Sequence, residues 1–532
     1  MIDTKGVVAA RYETLQRHRE HVLRRAREAS ALTIPNVVVR DGHNETSELP
    51  TPYQSVGSRG VRNLASKFLL SLFPPNVPFF KYTIDDLAVQ EIEAEAGEIG
   101  RGEVEKALNK RERLVMKELE SSYFRTAAFE AFKHLIISGN VLMHVPENNI
   151  AQTYGLDKFV VSRDPSGTIL EIVLKQHFDP MTLPPEAQQI LNAAGADLTA
   201  TGLNKPSVAL FTGIRRTNKG KYEVVQELAG QIVPNTRKVY EEDALPWVAL
   251  RLTKIDGEDY GRGYVEDFLG DLISLEGLSQ ALLEGSALAA RVITLVNPNG
   301  TTNLRDVAQA ENGAVIAGTP DEVQMLQSDG RVNLSVAQQQ VQALTQQLSF
   351  VFLMNTAIQR QAERVTAQEI RFMAQELESA LGGMYSLLAQ EFQLPMVNLF
   401  EKRMEKNRQV PALPEGVTMP KVVTGLDALG RGQDLQNLDA FLMGLGEVMG
   451  PEIQKYLNFQ EYINRRGAAL GIDMENLIKT DEEIAQAEQQ AQMMGLAQNM
   501  GPQAIQAFAQ IQGKQVDGEA KQAVEKMKQE KG

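Results

Sequence analysis

Apolar residues recur at intervals of three and four along several long stretches of this chain, which predicts amphipathic helices. The clearest stretch is 56–73, which Pro74 and Pro75 end because proline cannot continue a helix. Four of its apolar residues fall on one stripe: Val61, Leu64, Phe68 and Leu72. The same spacing predicts helices at 264–290 and 335–354. We therefore expect long helices to dominate the fold.

Between these helices the pattern changes to short runs of β-branched and aromatic residues bounded by turn signals, which is typical of strands. The runs KFVVSR, TILEIVLKQHF, SVALFTGIRR, YEVVQEL and WVALRL all fall within 141–252. Shorter runs predict strands at 292–296, 314–317 and 323–326. The predicted fold class is therefore α+β, mainly α.

A short polar, cationic segment lies between two of the helical patterns. Thr366 and Glu369 form a Thr-x-x-Glu capping box, which predicts a helix start at Thr366. Gln359, Arg360 and Arg364 precede it. The simpler interpretation is a solvated connection between helices. The alternative is a functional loop, because loops held by rigid elements often carry function.

Several other stretches have a distinctive composition. Residues 6–29 form a charged helical pattern that is locally basic at Arg17, Arg19, Arg24, Arg25 and Arg27, and we interpret it as a solvated face rather than a DNA contact. A long charged helix is predicted at 85–119, and Gly382-Gly383 and Pro395 predict interruptions in the helix that starts at Thr366. Residues 514–532 are nearly free of large apolar side chains, which predicts disorder.

Composition narrows the class of protein. The formal net charge of −14 does not suit a protein that grips duplex DNA through clustered cations, although it allows a surface past which DNA slides. The chain has no cysteine, which excludes disulfides and thiolate metal sites. The first residues lack the apolar region of a signal peptide, and no apolar run approaches the ~20 residues of a membrane span. We expect a soluble intracellular protein.

Motifs for catalysis were sought and are absent. The chain has no G-x-x-x-x-G-K-[ST] and no G-x-S-x-G. Gly444, Gly446 and Gly450 miss the dinucleotide-binding spacing and fall in a helical pattern, so we interpret them as packing residues. His18 and His21 share a helix face without a third ligand, which indicates a surface pair rather than a metal site. We expect no enzyme activity, no metal and no cofactor.

Blocks of sequence resemble one known family in a consistent order. NTAIQRQAERVTAQEIR (355–371) is similar to the matching segment of portal (head-to-tail connector) proteins of short-tailed, T7-like bacteriophages. The blocks TPYQSVGSRGVRNLASKFLLSLFP, KHLIISGNVLMHVPE, GEDYGRGYVEDFLGDLISLEGL, LVNPNG, LGGMYSLLAQEFQLP and TGLDALGRGQDL also resemble that family. The resemblance covers about Thr51 to Leu435.

The resemblance implies the portal fold, with wing, stem, clip and crown, assembled as a dodecameric ring around a channel. The implied parts, in chain order, are an N-terminal helical arm (1–50), wing (51–262, strand-rich at 141–252), stem helix (263–291), clip (292–332), stem helix (333–352), channel loop (353–365), wing long helix and return strand (366–430), crown helices (431–500) and flexible tail (501–532).

The resemblance also implies roles for individual residues. The channel-loop residues facing DNA would be Gln359, Arg360 and Arg364, with Arg371 a further member. The polar, uncharged stem residues lining the channel would be Gln338, Gln342 and Gln346. The clip residues that dock terminase and then the tail adaptor would be Asn297, Asn299, Arg305 and Asp321.

The implied function is a ring at one capsid vertex through which double-stranded DNA is packaged and ejected, without reading its sequence. Expected partners are further copies of the chain, the terminase ATPase, a tail adaptor or tail tube protein, major capsid and scaffold proteins and internal core proteins, with no membrane. The expected location is the virion, and the host cytoplasm during assembly. The alternatives are a helical phage scaffold or tail component without a DNA channel, and an enzyme with an unrecognised motif.

Overall fold

The computed structural model describes residues 6–43, 47–75, 79–83, 107–120, 123–147, 150–195, 207–289, 292–311, 314–327, 334–354, 367–381, 383–410, 421–424, 439–447, 462–463 and 466. The chain divides into two compact units, Met1–Asp434 and Leu435–Gly532. In the second unit, residues 439–447 are helical, and the Tyr462 hydroxyl donates a hydrogen bond of 2.7 Å to Asp439 Oδ1. This helix includes Gly444 and Gly446, as their helical pattern predicts.

The numbered elements all lie in the first unit. The helices are α1 (Val7–Ala31), α2 (Val56–Leu72), α3 (107–120), α4 (Phe124–Ser138), α5 (Pro185–Ala193), α6 (Tyr264–Asp267), α7 (Leu269–Ala289), α8 (Leu304–Gln309), α9 (Leu334–Val351), α10 (Ala367–Leu381), α11 (Met384–Leu388) and α12 (Leu394–Lys406). The strands are β1 (Phe80–Thr83), β2 (Asn140–His144), β3 (Gln152–Tyr154), β4 (Phe159–Arg163), β5 (Ile169–Phe178), β6 (Val208–Arg216), β7 (Tyr222–Leu228), β8 (Gln231–Ile232), β9 (Lys238–Tyr240), β10 (Trp247–Arg251), β11 (Val292–Val296), β12 (Val323–Gln327) and β13 (Lys421–Thr424).

The strands of the described residues form four antiparallel sheets. The largest has the order β4-β5-β6-β7-β8, with β9 also paired to β7, and a second has the order β10-β2-β3. Both are built from strands between Asn140 and Arg251, where the sequence predicts a strand-rich section. Two-stranded sheets join β1 with β13 and β11 with β12. The mixed helix and strand content agrees with the predicted class.

The main core forms around α2. Its predicted stripe is buried, since Val61, Leu64, Phe68 and Leu72 are at most 1% exposed. Phe73, directly after the helix, makes edge-on ring contacts with Phe79, Phe124 and Phe392 at centroid distances of 4.9–5.2 Å. Aromatic pairs of this geometry stabilise a core beyond their buried area. The core therefore joins α2 to segments far away in the sequence.

The interpretation of α1 as a solvated face is wrong for part of the helix. Arg19 is 2% exposed, and its Nη1 donates to the carbonyls of Leu156, Asp157 and Phe159 at 2.8, 3.1 and 2.7 Å. Arg25 pairs with Glu266, and Arg27 pairs with Asp41, whereas Arg17 and Arg24 are exposed. Charge on a helix does not show which arginines a distant strand will cover with its carbonyl groups.

Two other predictions need correction in detail, and a third is tested only in part. The helix predicted at 264–290 is divided near Phe268 into α6 and α7. The segment 314–317 has no regular secondary structure, although a strand was predicted, while the unpredicted helix α8 lies before it. Of the helix predicted at 85–119, the part before residue 107 lies outside the described residues, and 107–120 is helical.

Both predicted interruptions after α10 are confirmed. Gly383 has a φ of +88° between α10 and α11, a left-handed conformation that glycine adopts without steric cost. Ala389–Gln393 forms one π-helical turn, and Pro395 lies at the start of α12. Proline supplies no backbone N–H and crowds the carbonyl four residues earlier, which accounts for the altered hydrogen bonding before it.

We predict that Arg19→Met lowers the free energy of unfolding by about 3 kcal/mol, because buried carbonyl groups lose a charged donor. Urea unfolding followed by fluorescence of Trp247, the single tryptophan, measures the change. Arg17→Met on the exposed face is the matched control and should shift stability by no more than about 0.5 kcal/mol. Equal effects of the two substitutions would contradict a structural role for Arg19.

Candidate functional site

Helices α7 and α9 form an antiparallel pair that continues into the paired strands β11 and β12. Gln347, near the end of α9, donates a hydrogen bond of 3.2 Å from Nε2 to Asp271 Oδ2 near the start of α7. At the other end of the helices, β11 pairs antiparallel with β12 from Val292–Gln327 to Val296–Val323. The helix pair and the strand pair thus form one excursion of the chain between Tyr264 and Phe352.

The predicted channel-lining glutamines lie on the solvent side of α9. Gln338, Gln342 and Gln346 are exposed, while Leu344 and Leu348 on the same helix are buried. The spacing of four residues places the three amide groups in one row. The row is polar and uncharged, as the sequence predicts.

The end of α9 is fixed by α2. The Asn63 Nδ2 donates to the carbonyls of Phe352 and Leu353 at 2.9 and 3.0 Å, which supplies partners to carbonyl groups that a helix end leaves without any. Phe352 is fully buried against Gly60, where an added Cβ would lie 2.4 Å from the Phe352 ring. The Tyr264 hydroxyl donates to the carbonyl of Val351 at 3.1 Å. Helix α9 therefore stops at a position that its neighbours determine.

Helix α10 is attached to the same helix. Lys67, one turn after Asn63, forms an ion pair of 2.9 Å with Glu376, and the Lys67 side chain is 8% exposed. A salt bridge with this little exposure is screened less than a surface pair. Helix α2 thus holds both helices that flank 355–366.

The predicted loop residues Gln359, Arg360 and Arg364 lie outside the described residues. Arg371 lies in α10, but its side chain is outside them as well. Helix α10 begins at Ala367, which agrees with the start predicted at Thr366, although the capping contact itself is not among the described residues. The DNA-facing roles of these residues remain predictions.

Sequence reasoning missed Gly60, Asn63 and Lys67 as members of the site. Their spacing of three, four and seven residues places them on one face of a helix. A row that combines a glycine with two polar residues beside the apolar stripe was a usable signal. The sequence could not show which elements this row would contact, because Phe352 lies 289 residues after Asn63.

The predicted clip residues lie in the connection between β11 and β12. Asn297, Asn299, Arg305 and Asp321 are all exposed. Asn297 Oδ1 accepts the Asn299 N–H at 3.0 Å, so this asparagine also shapes a turn. The described contacts assign no binding role to the four residues, and their docking role remains a prediction.

Glu322 organises this connection, and sequence reasoning missed it. Its Oε2 accepts the Thr302 N–H and hydroxyl at 2.9 and 2.6 Å and the Thr301 hydroxyl at 3.2 Å. Its backbone carbonyl accepts the Asn297 N–H at 2.9 Å. Hydrogen bonds from Thr302 and then Thr301 lower the pKa of the Glu322 carboxyl to about 2. One carboxylate thus holds the two ends of the connection together.

The described part of the chain offers little for metal chemistry. Among its His, Asp and Glu side chains, none form a group of three that could hold a metal ion, and His18 and His21 are exposed on α1. A search of the same residues finds no helix long and apolar enough to span a membrane.

Comparisons with known proteins agree on one family. The family described as "Bacteriophage head to tail connecting protein" matches residues 5–478. The chain is 35% identical to the portal protein of Escherichia phage T7, covering 93% of each chain. It is 34% identical to that of Enterobacteria phage T3, over 92% of this chain and 91% of the relative. It is 30% identical to that of Pseudomonas phage phiKMV, over 90% and 93%.

Among solved structures, a chain from the neck of an empty gene transfer agent particle matches with a TM-score of 0.35 and 11% identity. The match covers 84% of this chain and 94% of that one. This similarity is too low to support a structural comparison.

We predict that Glu322→Gln loosens the connection between β11 and β12, because a neutral amide is a weaker acceptor than a carboxylate. Hydrogen exchange of the peptide 297–303 should show a lower protection factor. Since folding lowers the Glu322 pKa from 4.5 to about 2, the parent should keep full protection above about pH 4.5 and lose it as the pH falls through about 2.

The matched control is Glu311→Gln, which removes an exposed carboxylate from the same connection. Its protection factors should equal those of the parent. Unchanged protection in Glu322→Gln would show that backbone contacts alone hold the connection.

Proposed function

Because the chain belongs to the bacteriophage head-to-tail connecting protein family, we propose that it forms a twelve-subunit portal ring at one vertex of a phage capsid. Double-stranded DNA enters and leaves the capsid through the channel of this ring. Family membership alone does not give the ring number or the path of the DNA, so both are part of the proposal. The surface of α7 supports the assembly into a ring.

The main support for the proposed ring is that helix α7 is apolar on every side. Its 21 residues include only three charged ones, Asp271, Glu276 and Glu284. Leu272 and Leu275 are buried in the same chain, but Ile273 and Leu283 are 55% and 59% exposed. A helix that is apolar all round is normally buried. A neighbouring copy in a ring supplies the missing cover.

Helix α9 adds to the same surface. Phe350 is 73% exposed and Val336 is 57% exposed, although both lie on a helix whose remaining solvent face is rich in glutamine. Large exposed apolar side chains grouped on one pair of helices indicate an interaction surface. In the ring, the apolar sides of α7 and α9 face neighbouring copies, and the row Gln338–Gln342–Gln346 faces the channel.

In this ring, the cationic segment 355–366, which precedes α10, lies at the channel. Gln359, Arg360 and Arg364, together with Arg371, repeat around the axis and form a cationic collar that contacts phosphates without reading sequence. The support for this role is the attachment of both flanking helices to α2, through Asn63 and Lys67. A loop that resists the movement of DNA needs fixed supports on both sides.

The excursion that carries Asn297, Asn299, Arg305 and Asp321 forms the clip, which docks terminase during packaging and the tail adaptor afterwards. The ATPase is a separate protein, since the sequence has no P-loop. Residues 431–500 form a crown toward the capsid interior, where scaffold and core proteins meet it. A scaffold or tail component without a channel is the competing function, and it gives no reason for a cationic segment held between two anchored helices.

We predict that Ile273→Glu combined with Leu283→Glu prevents ring formation, because each charge would be buried at the contact between copies. Light scattering at micromolar concentration should show closed oligomers for the parent and monomers for the variant. The matched control is Met181→Glu, at an apolar residue that is 63% exposed in the strand-rich section. Circular dichroism confirms that the monomers remain folded. A monomeric parent, or rings in the double variant, would contradict the proposed contact.

We predict that Arg360→Ala combined with Arg364→Ala leaves ring assembly and melting temperature unchanged but makes packaged DNA leak from heads several-fold faster. Surface ion pairs contribute only about 0–1 kcal/mol, so a purely structural role would not produce this selective loss. Nuclease-protected DNA after packaging is the measurement. The control, Arg215→Ala with Lys219→Ala, removes the same charge from exposed positions. Equal retention in both double variants would refute the collar.

A further inference from the structure

A groove lies between helix α1 and the far end of strand β5. Its volume is about 620 Å³, which falls in the usual range of ligand-binding clefts. The groove lies outside the parts of the chain that the proposed function assigns to the stem, channel and clip. The residues that carry the argument come from α1, from β5 and from the turn before β4, and they are Tyr12, Gln16, Lys158, Lys175 and His177.

One side of the groove is an edge of β5 that β4 does not cover. Strand β4 begins at Phe159, which pairs with Leu174, so β5 continues beyond the end of β4. The Lys175 N–H donates to the Lys158 carbonyl at 2.8 Å. Because backbone groups alternate in direction along a strand, those of His177 point to the same side, where the described sheets place no strand. An open strand edge of this kind can accept an extended peptide.

Two lysines face each other beside this edge. Lys158 and Lys175 are opposite residues directly beyond the last pair of β4 and β5, so their side chains lie on the same face of the sheet. Lys175 Nζ lies 5.9 Å from the centres of both the Tyr12 and Phe211 rings, which places this face against α1. Burial and then the charge of Lys175 lower the pKa of His177, so the imidazole stays neutral. Like charges directly opposite each other repel, and an anion between them would relieve the repulsion.

The carboxylates that line the groove do not neutralise the two lysines. Arg27 lies 3.6 Å from Glu20 and 3.2 Å from Asp41, so these two carboxylates have a different cation as partner. Asp157 also lines the groove, but within the described chain neither lysine forms an ion pair with it or with another carboxylate. Two unpaired cations thus stand beside an open backbone edge in a chain whose formal net charge is −14.

We propose that this groove binds an extended, acidic peptide segment of a partner protein. The peptide pairs its backbone with the edge of β5 at His177, and its alternate carboxylates contact Lys158 and Lys175. The exposed amide of Gln16 supplies a further donor and acceptor. A phosphate or a nucleic acid would satisfy the lysines but leave the backbone edge without a partner, so the two observations together favour a peptide.

Binding of a fluorescein-labelled peptide of sequence ETETETET to the full-length chain, measured by anisotropy, tests the proposal. Lys158→Gln combined with Lys175→Gln should weaken binding by at least about tenfold, since two charge-assisted contacts are lost. The matched control, Lys219→Gln with Lys238→Gln, removes the same charge from exposed positions of the same strand-rich section and should bind like the parent. Circular dichroism shows that each variant is folded.

A substitution at the strand edge separates strand addition from attraction between charges. His177→Pro removes a backbone N–H on the open side only, where a strand tolerates proline, and should abolish binding. His177→Thr also removes the imidazole but keeps the N–H, and should bind like the parent. Equal binding by these two variants overturns the inference, as does unchanged binding by the double lysine variant.

Other occupants of the groove give different results. Short duplex DNA that binds the parent more tightly than ETETETET, and loses this binding in the double lysine variant, would assign the groove to nucleic acid and overturn the proposal. Peptide binding to dissociated subunits but not to assembled rings would assign the groove to a neighbouring copy, with the same consequence. Peptide binding to assembled rings that depends on both lysines and on the His177 N–H is the expected result.

Discussion

Helix α2 forms hydrogen bonds along its whole length with elements from distant parts of the first unit. Before its first turn, Gln54 bonds to the Leu32 carbonyl at the end of α1 and to the Gly57 N–H. At its last turn, the Ser71 carbonyl accepts the Tyr385 hydroxyl. Between these ends, Asn63 and Lys67 bind α9 and α10. Buried polar groups must be satisfied, so each contact restricts where its partner element can lie.

This constraint links packing to the proposed mechanism. The apolar stripe of α2 supplies the burial that stabilises the unit, while its polar row holds α9 and α10 through Asn63 and Lys67. Because both helices are attached to one rigid element, a force on either flank of 355–366 would be transmitted to α2 and the core. A segment that contacts moving DNA requires such support, which a connection between two free helices would not provide.

The distribution of charge fits the same account. Arg19 donates from Nη1 to backbone carbonyls, and Arg27 pairs with Asp41, so these cations of an acidic chain are bound within the subunit. The glutamine row of α9 is exposed and uncharged. In the proposed ring, this row would give a neutral channel wall that interacts weakly with DNA, so the proposed cationic collar would be the place where the wall resists the movement of DNA.

The sequence by itself determined the local elements, because side-chain periodicity and capping act over a few residues. The buried stripe of α2, the start of α10, the break at Gly383 and the strands between 140 and 251 all follow from such patterns. The exposed positions of Gln338 in its helix and of Asn297 in its turn follow in the same way. The resemblance to a family added the expected roles of these residues, which local patterns do not contain.

Only the tertiary structure decided which partners the polar side chains meet. Arg19 is buried because carbonyl groups 137 to 140 residues away surround it. Asn63 and Lys67 became part of the site because the fold brings α9 and α10 onto α2. Residues 314–317 show the converse, since their strand propensity is local but the described structure gives them no regular secondary structure. Local preference sets what a segment can form, and contacts across hundreds of residues set what it does form.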